Sequence, residues 1–169
     1  MIPTTPGTPP GKRGQRMSAR PPQGADPGER ARLLLVDRNA RRRLALVSAL
    51  RGSFEVHPFM EEGDLARDVR AVRPAVVLLA VDPNHPGRAL RASRLLRSEP
   101  TPPRVALLVE TLRRESPEEL MSRTLASGLW VGRAPPDAVR AWAERVARGE
   151  RAVELRDPGR GLLRRLLGR

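Results

Sequence analysis

Two carboxylates stand where strongly apolar runs stop: Asp37 follows LLLV (33–36), and Asp82 follows VVLLAV (76–81). Around them, residue types able to do covalent or metal chemistry are scarce. The chain has no cysteine, so a thiolate metal ligand and a disulfide framework are both excluded. His57 and His85, the two histidines, fall on different elements without a clustered carboxylate set, and they read as surface or loop residues rather than ligands. No glycine-rich phosphate loop with a lysine occurs, nor a serine–histidine–acid set at recognisable spacing. Phe54, Phe59, Trp130 and Trp142 are the aromatic residues, each on a core-type strand or helix face. A stacking platform for single strands needs aromatics interleaved with basic residues instead. These absences argue against an enzyme, and no metal or cofactor is expected.

Charge is the second signal. The formal net charge is +13, and all basic residues but Lys12 are arginine. The excess is spread as +4, +6 and +3 over residues 1–32, 33–149 and 150–169, so no single segment carries it. Basicity alone is only the first requirement of a nucleic-acid binder. With the abundance of Ala, Gly and Pro, the arginine preference also fits the codon usage of a GC-rich genome.

Residues 1–30 are rich in Pro, Gly and Arg and poor in anything that could build a core, which predicts a disordered tail; Met17 offers a second plausible start. No apolar run at the N-terminus resembles a signal peptide, and none elsewhere reaches the roughly 20 residues of a membrane span. A cytoplasmic location is the expectation.

From residue 31 to 149 the pattern alternates between strands and helices. LLLV (33–36), VVLLAV (76–81) and RVALLV (104–109) are continuous apolar runs suited to strands buried on both faces. FEVHPF (54–59) alternates in period two, and LWVG (129–132) is a short fifth strand. Between them lie helical stripes: Leu44, Val47 and Leu50 after Asn39; Leu65, Val69 and Val72 within 61–72; Leu90, Leu95 and Leu96; Leu120, Met121 and Leu125 after the Ser116–Pro117–Glu119 start signal; and Val139, Trp142 and Val146. Five strands alternating with five helices in about 118 residues predict parallel crossovers and an α/β, doubly wound five-stranded sheet.

LLLVDRNARRRLALVSAL (33–50), RPAVVLLAVDP (73–83), RVALLVE (104–110) and ASGLWVGRAPP (126–136) together, and in this order, resemble bacterial response-regulator receiver domains. The resemblance implies a flavodoxin-like (βα)5 fold and a chemistry. Acidic residues after the first strand hold Mg²⁺, an aspartate after the third accepts a phosphoryl group, and a hydroxyl on the fourth and a lysine on the fifth read the added charge. Carried over, Asp37 keeps one acidic residue while Arg38 stands at the second. Ala80 replaces the phosphoacceptor, Val109 falls at the hydroxyl, and Arg133 falls near the lysine with Ala134 in place of proline. The implied protein is a pseudo-receiver: a phosphorylation-independent interaction module in bacterial two-component-type signalling.

Two electrostatic readings attach to this pocket. Asp82 shares a strand face with Ala80 and could act as a displaced acceptor, against the plainer reading of a loop-capping aspartate before Pro83. Arg38 and Arg133 could supply a fixed guanidinium beside Asp37 in place of a cation, against the plainer reading that both point to solvent.

The partner surface implied by the resemblance lies on the fourth and fifth strands and last two helices, where Trp130, Arg140, Trp142 and Arg145 fall. The expected partner is a signalling protein such as a kinase, receptor or regulator; a homodimer and nucleic acid bound through the arginine-rich tails are the alternatives. Residues 150–169 read as a basic extension. In it, Leu162, Leu163, Leu166 and Leu167 form one helical stripe among arginines, suited to a partner groove, an anionic membrane surface, or an apolar patch of the chain's own domain. About ten residues are too few for a stable helix alone.

Overall fold

The computed structural model describes residues 30–60, 64–82, 85–112 and 115–156. They form a parallel sheet between two helical layers. Its elements are β1 (Ala31–Val36), α1 (Ala40–Leu50), β2 (Phe54–Phe59), α2 (Leu65–Val72), β3 (Val76–Val81), α3 (Pro86–Arg97), β4 (Arg104–Val109), α4 (Pro117–Thr124), β5 (Gly128–Val131), α5 (Pro136–Ala147) and β6 (Ala152–Leu155). Strand order is β2-β1-β3-β4-β5-β6, all parallel. The doubly wound α/β class holds, with a sixth strand added beyond β5. The folded domain therefore continues past residue 149 to the end of β6. Residues 1–29 and 157–169, with the expected tail and the leucine stripe, lie outside the described residues.

Local chemistry explains the helix starts. The Asn39 side chain accepts from the Arg42 amide (3.0 Å) and starts α1. Ser116 and Glu119 exchange side-chain and backbone hydrogen bonds in a capping box at α4. The α2 expected over 61–72 is described from Leu65, capped by Asp64.

Strands β1, β3 and β4 alternate their buried residues between two cores, as parallel strands covered on both faces must. Leu34, Val36, Val77, Leu79, Leu107 and Val109 pack under α2, α3 and α4. Leu33, Leu35, Val76, Leu78, Ala106 and Leu108 pack under α1 and α5. Three leucines of the expected helical patterns are turned outward. Leu44 is 73% exposed, and Leu95 and Leu125 are also exposed; Leu46 takes the core position on α1.

β6 joins the sheet by an unusual route. The crossovers to β3, β4 and β5 all step the same way across the sheet with α2, α3 and α4 on one face. The step to β6 continues that way, but α5 lies on the opposite face. This unit therefore has the opposite hand to the other three, against a rule that about 98% of such crossovers obey.

Gly132 closes the junction between β5 and β6. Its φ is +99°, and a Cβ there would lie 1.5 Å from the Arg156 carbonyl oxygen. The Arg156 amide in turn donates to the Val131 carbonyl at 2.8 Å. Gly132→Ala forces this rung apart, because both the torsion and the space suit glycine alone. We expect the amides of β6 to exchange with solvent at least about tenfold faster in the variant while those of β1 and β3 are unchanged. Unchanged β6 protection would refute this account.

Candidate functional site

The sheet order reverses between β1 and β3, and the carboxyl ends of these strands border a cavity of about 180 Å³. Open α/β sheets place ligand crevices at such switch points. Its lining includes Asp37, Arg38, Arg42, Ala80, Asp82 and Arg88.

Asp37 is the best-held group in it. Its amide donates to the Phe59 carbonyl (3.1 Å), which fixes the chain as it leaves β1. The residue is 1% exposed. Oδ1 accepts from the Asn39 amide (2.8 Å) and from Arg42 Nη2 (3.0 Å), and Oδ2 accepts from Arg42 Nε at 2.6 Å. The same guanidinium reaches Glu110, just beyond β4, through Nη1. Arg43 Nη1 donates to the Asp37 main-chain carbonyl at 2.6 Å. Arg42 thus forks onto one carboxylate and bridges to a second, a geometry that guanidinium provides and ammonium does not. The hydrogen bonds that Arg42 donates to Asp37 hold the arginine's pKa above its ordinary value; burial opposes this, and the charges of Asp37 and Glu110 add to it.

The fixed cation beside Asp37 is therefore Arg42, not Arg38 or Arg133. Arg38 is exposed and lines the cavity mouth. Arg133 is exposed, is absent from the cavity lining, and offers its carbonyl to Trp130 Nε1 (3.1 Å). Arg42 and Glu110 escaped the sequence reading. The Asn39 cap places Arg41, Arg42 and Arg43 together in the first turn of α1, close to the strand end, but does not say which of the three reaches Asp37.

Ala80 is the penultimate residue of β3, half-buried beside the cavity. Alanine has no oxygen to carry a phosphoryl group. Val109 is buried in the core under α3 and α4. Asp82 borders the cavity, and its Oδ2 pairs with His85 Nδ1 at 3.0 Å. Its main-chain carbonyl also accepts from the His85 amide at 3.0 Å. His57 lies 3.0 Å from Glu55 on β2. Among the described residues no group of three or more His, Asp or Glu side chains is placed to hold a metal ion. None of the described helices is long and apolar enough to cross a membrane.

The expected partner surface needs correction. Trp130 and Trp142 are 1% and 2% exposed and pack edge to face, with ring centroids 5.8 Å apart. They belong to the core under α1 and α5 and offer no surface to a partner. Arg140 is half-buried, and its Nη1 would lie 3.6 Å from a Cβ at Gly52. Arg145 is tied to Glu150 (3.0 Å) and Glu154 (3.1 Å), and these acids raise its pKa.

No family model matches the chain, and no curated protein matches it. Solved structures do. The signal receiver domain of the response regulator NarL from Mycobacterium tuberculosis is similar at 21% identity and a TM-score of 0.59, over 72% of this chain and 99% of that one. The response regulator DrrB from Thermotoga maritima is similar at 20% identity and a TM-score of 0.59, over 72% of this chain; the match spans about half (54%) of DrrB. The chemotaxis response regulator CheY4 of Vibrio cholerae is similar at 19% identity and a TM-score of 0.58, over 69% of this chain and 98% of that one. At these identities the likeness establishes the fold, and the fold is that of a receiver domain.

Proposed function

We propose that this chain is a phosphorylation-independent receiver-like module that acts by binding a signalling protein in two-component-type signal transduction, without enzymatic activity of its own. The observation that carries this reading is the Arg42 fork between Asp37 and Glu110, above a β3 strand that presents Ala80. Phosphoryl transfer to a carboxylate beside other carboxylates needs a hard divalent cation to screen them, and that cation needs carboxylate oxygens free to bind it. Here one guanidinium occupies those oxygens as a built-in, non-exchangeable charge. With Val109 in place of a hydroxyl, the pocket also lacks the group that would respond to an added phosphoryl charge. The module is constitutive: one pocket state, hence one surface shown to its partner.

Incubation with acetyl phosphate and Mg²⁺, followed by intact-mass measurement, tests the first half of this reading. No phosphoryl adduct is expected on the wild-type chain. A stoichiometric adduct lost in Asp82→Ala would replace it with a shifted-acceptor receiver. Affinity capture at low and high salt with nuclease tests the second half. A signalling protein retained in high salt supports the module, whereas recovery of nucleic acid that salt abolishes would favour the arginine-rich tails as the working part.

A further inference from the structure

Among the described residues, no helix covers one face of β6, because the crossover into it has the opposite hand. In the parallel register Val153 lies beside Leu129 and Leu155 beside Val131, so both point to the face covered elsewhere by α2, α3 and α4. Their neighbours on β5 are buried, yet Val153 is 42% and Leu155 41% exposed. Had α5 followed the common hand, it would have crossed this face. It lies on the other one, where Trp142 Nε1 donates to the Ala152 carbonyl (3.0 Å) and Ala152 is buried. The bare strip is therefore built by the topology rather than scattered over the surface.

We propose that this strip is the docking site of the chain's own segment 157–169, through Leu162, Leu163, Leu166 and Leu167. Three features of the sequence select this occupant. The segment follows β6 directly, since Arg156 is the residue that makes the last bond to β5. It opens with Asp157-Pro158-Gly159, residue types that reverse the chain at a strand end. The leucines then recur at i, i+1, i+4 and i+5, one side of a helix, with Arg160, Arg164, Arg165 and Arg169 on the remainder.

The lengths also match. About ten residues at 1.5 Å each cover roughly 15 Å, against roughly 13 Å for a four-residue strand. Docking there completes a β6–helix unit beside α4 and supplies the packing that so short a helix needs to form. A second copy pairing along the β6 edge is disfavoured, because the strand is four residues long, contains Glu154 and is flanked by Arg151 and Arg156, the charges that blunt edges.

The chain lacks cysteine, so introduced pairs report without background. In the full chain, Val153→Cys combined with Leu163→Cys or Leu166→Cys is expected to form an intrachain disulfide at least about tenfold faster than Val153→Cys combined with Arg164→Cys or Arg165→Cys. Equal rates would overturn the proposal, and disulfides formed only between chains would assign the face to a second copy. Trypsin gives an independent readout at the arginines of the segment. The double variant Val153→Asp, Leu155→Asp should be cut after Arg164 and Arg165 about tenfold faster than wild type, with unchanged circular dichroism. Cleavage at the wild-type rate would also overturn it.

Discussion

Arg42→Met is expected to lower the unfolding free energy by about 2–3 kcal/mol and the melting temperature by roughly 10 °C. The methionine keeps much of the aliphatic stem, so the loss is chiefly electrostatic. It leaves the Asp37 carboxylate, whose side chain is fully buried, with the Asn39 amide as its remaining partner among the contacts described above. Removing one partner of a buried ion pair typically costs about 3–5 kcal/mol. The lower figure applies here because Arg42 is itself about a quarter exposed and its second partner, Glu110, is largely exposed. Arg41→Met is the control. Arg41 is an exposed neighbour on the same helix turn, and its replacement should stay within about 0.5 kcal/mol. A cycle with Asp37→Asn should give a coupling of about 1–2 kcal/mol between the two positions. Chemical denaturation measures all of these. If Arg42→Met is no more destabilising than Arg41→Met, the fork does not hold the pocket, and the constitutive reading built on it falls.

The β-strand runs were legible because each is apolar on both faces, a pattern that few other structures produce. LLLV, VVLLAV and RVALLV became β1, β3 and β4 with little or no shift in their bounds. β6 was illegible for the opposite reason. AVEL is short, half-exposed and followed by charge, so nothing in its period separates it from a tail. Its placement comes from the free edge of β5 and from Gly132, which are tertiary facts.

The candidate site divides in the same way. Asp37, Ala80 and Asp82 could be found because they sit at the ends of apolar runs. Arg42 could not be singled out, since it lies in the run Arg41–Arg42–Arg43, and only the three-dimensional turn of α1 decides which guanidinium faces the strand end. Trp130 and Trp142 were assigned correctly to core faces and then wrongly to a partner surface. In this chain the sixth strand lies over the edge of β5, and the indoles are sealed beneath α1 and α5.

Trp142→Ala is expected to be more damaging still, at about 3–5 kcal/mol. The indole is 2% exposed and fills space between β5, β6 and α5: a Cβ on Gly128 would lie 2.9 Å from its Cζ2, and its edge meets Trp130. Its Nε1–H also satisfies the Ala152 carbonyl at the start of β6. Trp142→Phe separates these two roles. It keeps an aromatic ring in the cavity but leaves the carbonyl without this donor, a loss of about 1–3 kcal/mol. Because the donor belongs to α5 and the acceptor to β6, this bond ties the opposite-handed crossover to the sheet. Hydrogen exchange should therefore show β6 loosening first in Trp142→Phe, with β1, β3 and β4 retaining their protection until global unfolding. In Trp142→Ala the whole domain should lose stability, read from the fluorescence of the remaining Trp130. Uniform loss of protection in the phenylalanine variant would mean that β6 unfolds with the sheet, and that the aromatic packing, rather than the hydrogen bond, keeps it there.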